Sequence, residues 1–358
     1  MHTSAFQKTR GVNLHTFHIT SCGLEQLPSS FTQLASLTRL ELEECDIAEL
    51  PDGMGEMTNL QELYIRRCLS LEELPDFVAA LVSLRVLRIT ECHDLASVPR
   101  RLDGLTSLTQ LELRDSWVLS EVPQALPPSL QVLRYSDNQQ VESVPDVSSL
   151  TGLRELCLHT VDAACLEAIG EHLSGVRHLD LELAEGAEES LSALTRLPHL
   201  RTLSASGVRS VNSLVECEGS GLQELRELHI STMRDAGLAE LPAAITTLHH
   251  LTSIKINAEN LSSLPHNFGA FSRLRELDLS HCSSLEHLPP SLTQLSCLHE
   301  LNVSYTSIHL LPPGFAQLSR LRRLDVHGCK ELEALPNDLS ELRMLEQVDT
   351  AGCDMLRQ

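Results

Sequence analysis

The sequence predicts an α/β solenoid, a series of short strand-and-turn units stacked side by side. Three observations predict it. A leucine pattern returns fifteen times at intervals of 22 to 26 residues. Hydrophobic residues make up 42% of the chain but aromatics only 3%, so leucine must fill the core. Leucine–proline pairs recur at one place in the pattern, as turns do in a repeating architecture. Self-similarity at so short a period overrides the expectation that 358 residues divide into two or three globular domains.

The unit reads L-x-x-L-x-L-x-x-C-x-x-L-x-x-L-P. It begins at Leu14, Leu37, Leu60, Leu84, Leu108, Leu130, Leu153, Val176, Leu200, Leu225, Leu251, Leu274, Leu298, Leu321 and Leu345. Residues 1–13 form a short N-terminal segment, and 14–358 form a single domain of about fifteen units. Numbered from the first leucine, positions three to seven alternate apolar and polar. This predicts a strand with its fourth and sixth residues inward and its third, fifth and seventh on a concave face. Parallel strands about 4.8 Å apart predict an inner arc on the order of 70 Å, and bulkier convex segments bend it into a horseshoe. Pro28, Pro51, Pro75, Pro99, Pro123, Pro145, Pro242, Pro265, Pro289, Pro312 and Pro336 share one register position. There the chain turns over the irregular convex side, where residues such as 31–34 close the core from outside.

Seven of the eleven cysteines, Cys22, Cys45, Cys68, Cys92, Cys282, Cys329 and Cys353, occupy the ninth position. A small, weakly polar side chain there bonds the turning backbone while staying buried. Neighbouring members are close enough for disulfides by Cα distance, but a row along an axis cannot surround a tetrahedral zinc. The expected role is structural, which suits a reducing compartment. The sequons at Asn260 and Asn302 point mildly the other way.

Residues 153–250 differ. The leucine–proline signature lapses until Leu241-Pro242, and residues 162–170 and 188–194 show helical apolar spacing. Convex helices and a local change of curvature are expected there.

The remaining motifs exclude more than they assign. The chain contains no G-x-x-x-x-G-K-[ST], G-x-G-x-x-G, H-E-x-x-H or G-x-S-x-G, and its seventeen histidines scatter over the pattern. An enzyme, a metal site and a bound cofactor are therefore not expected. A net charge of −22, from 49 acidic and 27 basic residues, opposes binding to nucleic acid or an anionic membrane surface. No apolar run reaches membrane-spanning length, and the first residues lack the apolar core of a secretory signal.

Function then falls to side chains that the core does not use. In units two to six these are Arg39, Glu41, Glu43, Tyr64, Arg66, Arg88, Glu112, Arg114 and Arg134, with Trp117 just beyond a strand. Tyrosine, tryptophan and arginine are the types enriched at interface hot spots. Tyr135 sits at an inward position and is expected in the core. In the last units the fifth position reads Lys255, Asp278, Asn302, Asp325 and Asp349, an acidic strip from which Asp278 and Asp325 are candidate contacts.

Residues 274–289, LRELDLSHCSSLEHLP, closely resemble the leucine-rich repeats of plant intracellular nucleotide-binding immune receptors, as do residues 326–336, VHGCKELEALP. Similar repeats occur in leucine-rich-repeat effectors that plant-pathogenic bacteria inject into host cells, and in Ras-pathway scaffolds. The resemblance covers almost the whole chain and implies a leucine-rich-repeat solenoid. Neither a nucleotide-binding loop nor a ligase domain is present, so the resemblance transfers neither activity. It implies a non-enzymatic scaffold or recognition module in intracellular, cytoplasmic signalling or defence, with another protein as partner. The alternative is an effector delivered into a host cell, or the substrate-recognition part of a ubiquitin ligase whose catalytic domain lies elsewhere.

Overall fold

A computed structural model describes residues 13–136, 144–215, 221–232 and 237–356. The chain divides into two compact units, Met1–Val161 and Asp162–Gln358. The first holds β1 (Thr16–Cys22), β2 (Arg39–Cys45), β3 (Glu62–Arg66), β4 (Val86–Thr90), β5 (Gln110–Arg114), β6 (Val132–Ser136) and β7 (Glu155–Val161). Each strand pairs in parallel with the next, residue for residue at the repeat register. The second unit contains α1 (Ala163–His172), β8 (His178–Leu183), β9 (Thr202–Ser206), α2 (Asn212–Val215), β10 (Glu227–Ser231) and β11 (Ser253–Asn257). It ends with β12 (Glu276–Asp278), β13 (Glu300–Asn302), β14 (Arg323–Asp325) and β15 (Gln347–Asp349). Its eight strands are likewise parallel and in sequence order.

The leucine pattern explains this arrangement. In β2 and β3 the fourth and sixth positions, Leu40, Leu42, Leu63 and Ile65, are buried while their neighbours face outward. One unit exposes its apolar edge unless another covers it, so stacking closes the core. On the opposite side the chain turns that follow Pro28, Pro51, Pro75, Pro242, Pro289 and Pro336 are 3-10 segments opened by the repeat proline. The carbonyl of Pro28 accepts from Phe31 N–H at 2.8 Å, and that of Pro51 accepts from Met54 at 2.9 Å. Proline supplies the fixed φ, −64° and −69° at these two positions, and loses no bond because its nitrogen needs none there.

The eighth position carries a feature the leucine spacing does not announce. Ser21, Glu44, Arg67, Glu91, Asp115, Thr160, His281 and Tyr305 all adopt left-handed backbone, with φ from 47° to 63°. Gly207, Gly328 and Gly352 hold the same position with φ of 76°, 68° and 73°. This bend ends the strand and swings the ninth residue inward. Ninth-position thiols then reach back to the sixth-position carbonyl of the preceding unit. Cys68 approaches Leu42 O at 3.7 Å, Cys282 Ile256 O at 3.3 Å, and Cys329 Val303 O at 3.0 Å. Cys92, Cys165, Cys282, Cys297, Cys329 and Cys353 are free thiols, in keeping with a structural role; the Cys22 side chain lies outside the described residues.

The predicted helix near residue 162 is α1. Its Asp162 carboxylate accepts from Cys165 N–H at 2.8 Å, an N-cap that satisfies one of the first-turn donors. The second predicted helix is a correction: Ala187–Arg196 is a ten-residue 3-10 segment. It packs so closely on α1 that a Cβ at Gly170 would come 2.4 Å from Ala193 O. Close packing there prevails over a favourable helical composition.

Candidate protein-binding surface

The outward positions of β2 to β7 form a lateral network. Its centre is Glu112, whose side chain is only 9% exposed although it lies on the sheet face. Three guanidinium groups surround it. Arg88 Nε lies 2.8 Å from Oε2, Arg134 Nη1 lies 3.1 Å from the same oxygen, and Arg114 Nη1 lies 3.6 Å from Oε1. Arg88 Nε meets the carboxylate as an ion pair without hydrogen-bond alignment. Arg134 continues to Glu155 at 2.7 Å, and Arg114 Nε donates to Ser136 Oγ at 2.6 Å. A carboxylate removed from water needs such partners.

Tyr64 lies on β3, beside Arg88 and two strands before Glu112. The Arg39 guanidinium sits 4.4 Å from its ring centroid and that of Arg88 5.7 Å away, within cation–π range. The phenol donates to Glu62 at 3.2 Å, and Arg39 also pairs with Glu62 at 2.6 Å and with Glu41 at 3.3 Å. Arg66 bridges Glu43 and Glu91 at 3.3 and 3.0 Å. Beside it, Arg67 joins Glu91 at 2.6 Å and Glu44 at 3.1 Å. The Arg67 bond holds the Glu91 carboxyl below its ordinary range, and bonds from Ser21 and Arg67 do the same for Glu44. Nine sequence-predicted residues thus meet in one charge-alternating face: Arg39, Glu41, Glu43, Tyr64, Arg66, Arg88, Glu112, Arg114 and Arg134.

Trp117 stands at the tenth position, on the rim where the chain leaves the sheet. It is 48% exposed and stacks on His93, with centroids 3.9 Å apart and planes 15° apart. His93 occupies the tenth position of the preceding unit, and Leu69, 51% exposed, that of the unit before. Val118 is exposed beside Trp117. Sequence reasoning found Trp117 but missed Leu69 and His93, although counting to position ten in each unit aligns all three. Tyr135 is buried, as its inward position predicts, and burial pushes its phenol well above the ordinary value.

The second unit presents its fifth-position residues differently. Asp278 accepts from Ser280 N–H at 2.9 Å, Asn302 from Ser304 at 2.9 Å, Asp325 from His327 at 2.8 Å, and Asp349 from Ala351 at 3.0 Å. Each side chain bonds the backbone two residues on, an Asx turn that finishes the strand. Asp278 and Asp325 therefore have a local structural duty that accounts for their recurrence.

Burial raises the Cys92 and Cys165 thiols to about 12 and Cys282 to about 11. They stay protonated near neutral pH and are poor nucleophiles. Among the described residues, no group of three or more His, Cys, Asp or Glu side chains is placed to hold a metal ion. No helix among them is long and apolar enough to cross a membrane.

Comparison with known proteins agrees with the repeat geometry. A leucine-rich repeat region model matches residues 12–234, and a leucine rich repeat model matches 272–330. Curated proteins give no match. Among solved structures, a leucine-rich-repeat protein of Leptospira interrogans is similar at 21% identity and a TM-score of 0.62, covering 94% of this chain and 90% of that one. A TDR receptor is similar at 17% identity and 0.52, covering 95% and 68%. YopM from Yersinia enterocolitica aligns at 25% identity and 0.48, covering 90% and 58%. The first two likenesses concern the fold alone. With the family model spanning more than half of its residues, the chain belongs to the leucine-rich-repeat family.

Proposed function

We propose that this chain is a non-enzymatic recognition module that binds another protein through its first unit. The partner lies on the charged face of β2 to β6 and is anchored by the rim at Leu69, His93, Trp117 and Val118. One observation carries the reading: a tryptophan stacked on His93 and two aliphatic side chains, Leu69 and Val118, are left in solvent along one rim, in the same unit as a ladder of arginines. Hot spots combine such apolar anchors with arginine and a polar surround. Alternating charges on the sheet give the partner its orientation more than its affinity. The proposed setting is intracellular signalling or defence. Delivery as an effector, or service as the recognition part of a ubiquitin ligase, uses the same surface.

The test is capture of partners from the native cell by wild-type chain and by a Leu69→Ser/Trp117→Ala variant. Loss of two hot-spot anchors predicts a fall in affinity of roughly 30-fold or more, with the folded spectrum unchanged. A control at the outer pair Arg100–Glu121, Arg100→Ala, retains capture. Partners held equally by wild type and the double variant would remove the rim from the binding surface.

A further inference from the structure

The second position of the repeat lies at the edge where each strand begins, and in the second unit it is mostly arginine. Arg177, Arg201, Arg226, Thr252, Arg275, His299 and Arg322 follow one another in register. Each backbone N–H donates to the carbonyl of the residue before it in the row, at 2.7 to 2.8 Å. Neighbours therefore sit about one strand spacing apart, roughly 4.8 Å.

Carboxylates outnumber lysine and arginine 49 to 27 in this chain, and the arginines on the first unit's sheet face are engaged by them. The row departs from that rule. Arg201 pairs with Glu224 at 3.1 Å and Arg322 with Glu346 at 3.5 Å. Arg177, Arg226 and Arg275 have no carboxylate within ion-pair reach among the described residues. Arg273 adds another guanidinium, held by His250 at 2.9 Å rather than by an acid.

The row is also interrupted in a useful place. Thr252 stands between Arg226 and Arg275, and its short side chain donates to Arg226 O at 3.1 Å. A groove of about 810 Å³ results, lined chiefly by Arg201, Arg226, His250, Thr252, Arg273 and Arg275, with Glu224, the partner of Arg201, as its one carboxylate. That volume falls in the range of small-molecule sites, about 300–1,000 Å³. Arg226 and Arg275 stand two strand spacings apart, about 10 Å at the backbone, a span that an ion with several phosphates can fill while meeting both guanidiniums.

We propose that this groove binds a small multiply phosphorylated molecule. Guanidinium forks match phosphate oxygens two at a time, and cations without carboxylates are free to do so. The net charge of −22 does not prevent it. At physiological ionic strength the field of distant charges is screened beyond about 8 Å, so the nearby guanidiniums govern the local potential. The rim at Trp117 plays no part, and the two sites stand or fall separately.

The experiment is calorimetric titration of the full chain with sodium tripolyphosphate at two salt concentrations. The expected result is one saturable site whose affinity weakens as salt rises. Arg226→Gln/Arg275→Gln weakens it by about tenfold per lost contact. Thr252→Glu, which keeps every arginine but places a carboxylate between them, abolishes it. Arg100→Gln/Arg101→Gln removes the same charge elsewhere and leaves it unchanged. Circular dichroism confirms that each variant is folded. No saturable binding, equal loss in the Arg100→Gln/Arg101→Gln control, or tighter binding of an oligoglutamate peptide of matched charge would each overturn the proposal.

Discussion

Single residues in this protein divide into those that shape the repeat and those that answer one another across it. Thr160 belongs to the first kind. It is exposed, β-branched and left-handed, with φ of 58°, a conformation that costs such residues roughly 1–2 kcal/mol. Thr160→Gly removes that penalty and gives up no described hydrogen bond. Even after the greater entropy of unfolded glycine, it should raise stability by about 0.5–1 kcal/mol in chemical denaturation. Glu112 belongs to the second kind. The sequence alone suggests that Arg88→Glu/Arg114→Glu leaves folding nearly intact, because both residues occupy outward positions. Their convergence on a 9% exposed carboxylate reverses that expectation. Two new carboxylates beside Glu112 should lower stability by about 2–4 kcal/mol, and Arg88→Gln/Arg114→Gln by clearly less. Equal midpoints for the two double variants would show that the cluster contributes no electrostatic stability.

Strands and turns were legible to different degrees. Leucine spacing places all fifteen strands because inward residues answer only to burial, which a period of two records directly. The 3-10 geometry of Ala187–Arg196 was not legible, since its cause is the neighbouring element: α1 presents Gly170 so that two backbones nearly touch. Gly170→Ala should therefore cost about 1–3 kcal/mol, despite alanine's better helix propensity, as a lowered melting temperature would register. The candidate surface was half legible. Counting positions names Tyr64, Arg88 and Glu112 as outward, but it does not reveal that partners such as Arg39 and Glu62 lie 23 residues away in sequence and 2.6 Å away in space. The arginine row at the second position escaped for a similar reason. Its meaning depends on which of its arginines find an acid partner and which do not, which only three-dimensional packing decides.

Across the whole molecule, pH acts through groups whose protonation changes on folding. Burial, aided by Lys255, lowers His229 below its ordinary value of 6.5. The folded state then binds its proton less readily than the unfolded state, so stability is full above about pH 6.5 and falls as pH drops below it. Glu44, Glu91 and Glu224, held low by Ser21, by Arg67 and by Arg201 respectively, add a second decline below their ordinary 4.5. Melting temperature should therefore be flat from pH 7 to 8, sag near pH 6 and drop steeply under pH 4.5. His229→Gln should remove the first step while leaving the second. A profile unaltered by that substitution would assign the upper step to another histidine.

The backward reach of the ninth-position thiols gives the array a polarity. Cys353 donates to Val326 O at 3.0 Å, as Cys329 does to Val303 O. Trimming the last unit takes the Cys353 thiol from Val326 O, which keeps its bond from Cys329 N–H at 3.1 Å. Trimming the first unit instead takes the Ile19 O acceptor from the Cys45 thiol, a weaker contact at 3.9 Å. Deletion of the first and of the last unit should thus be tolerated unequally, the last costing more in chemical denaturation.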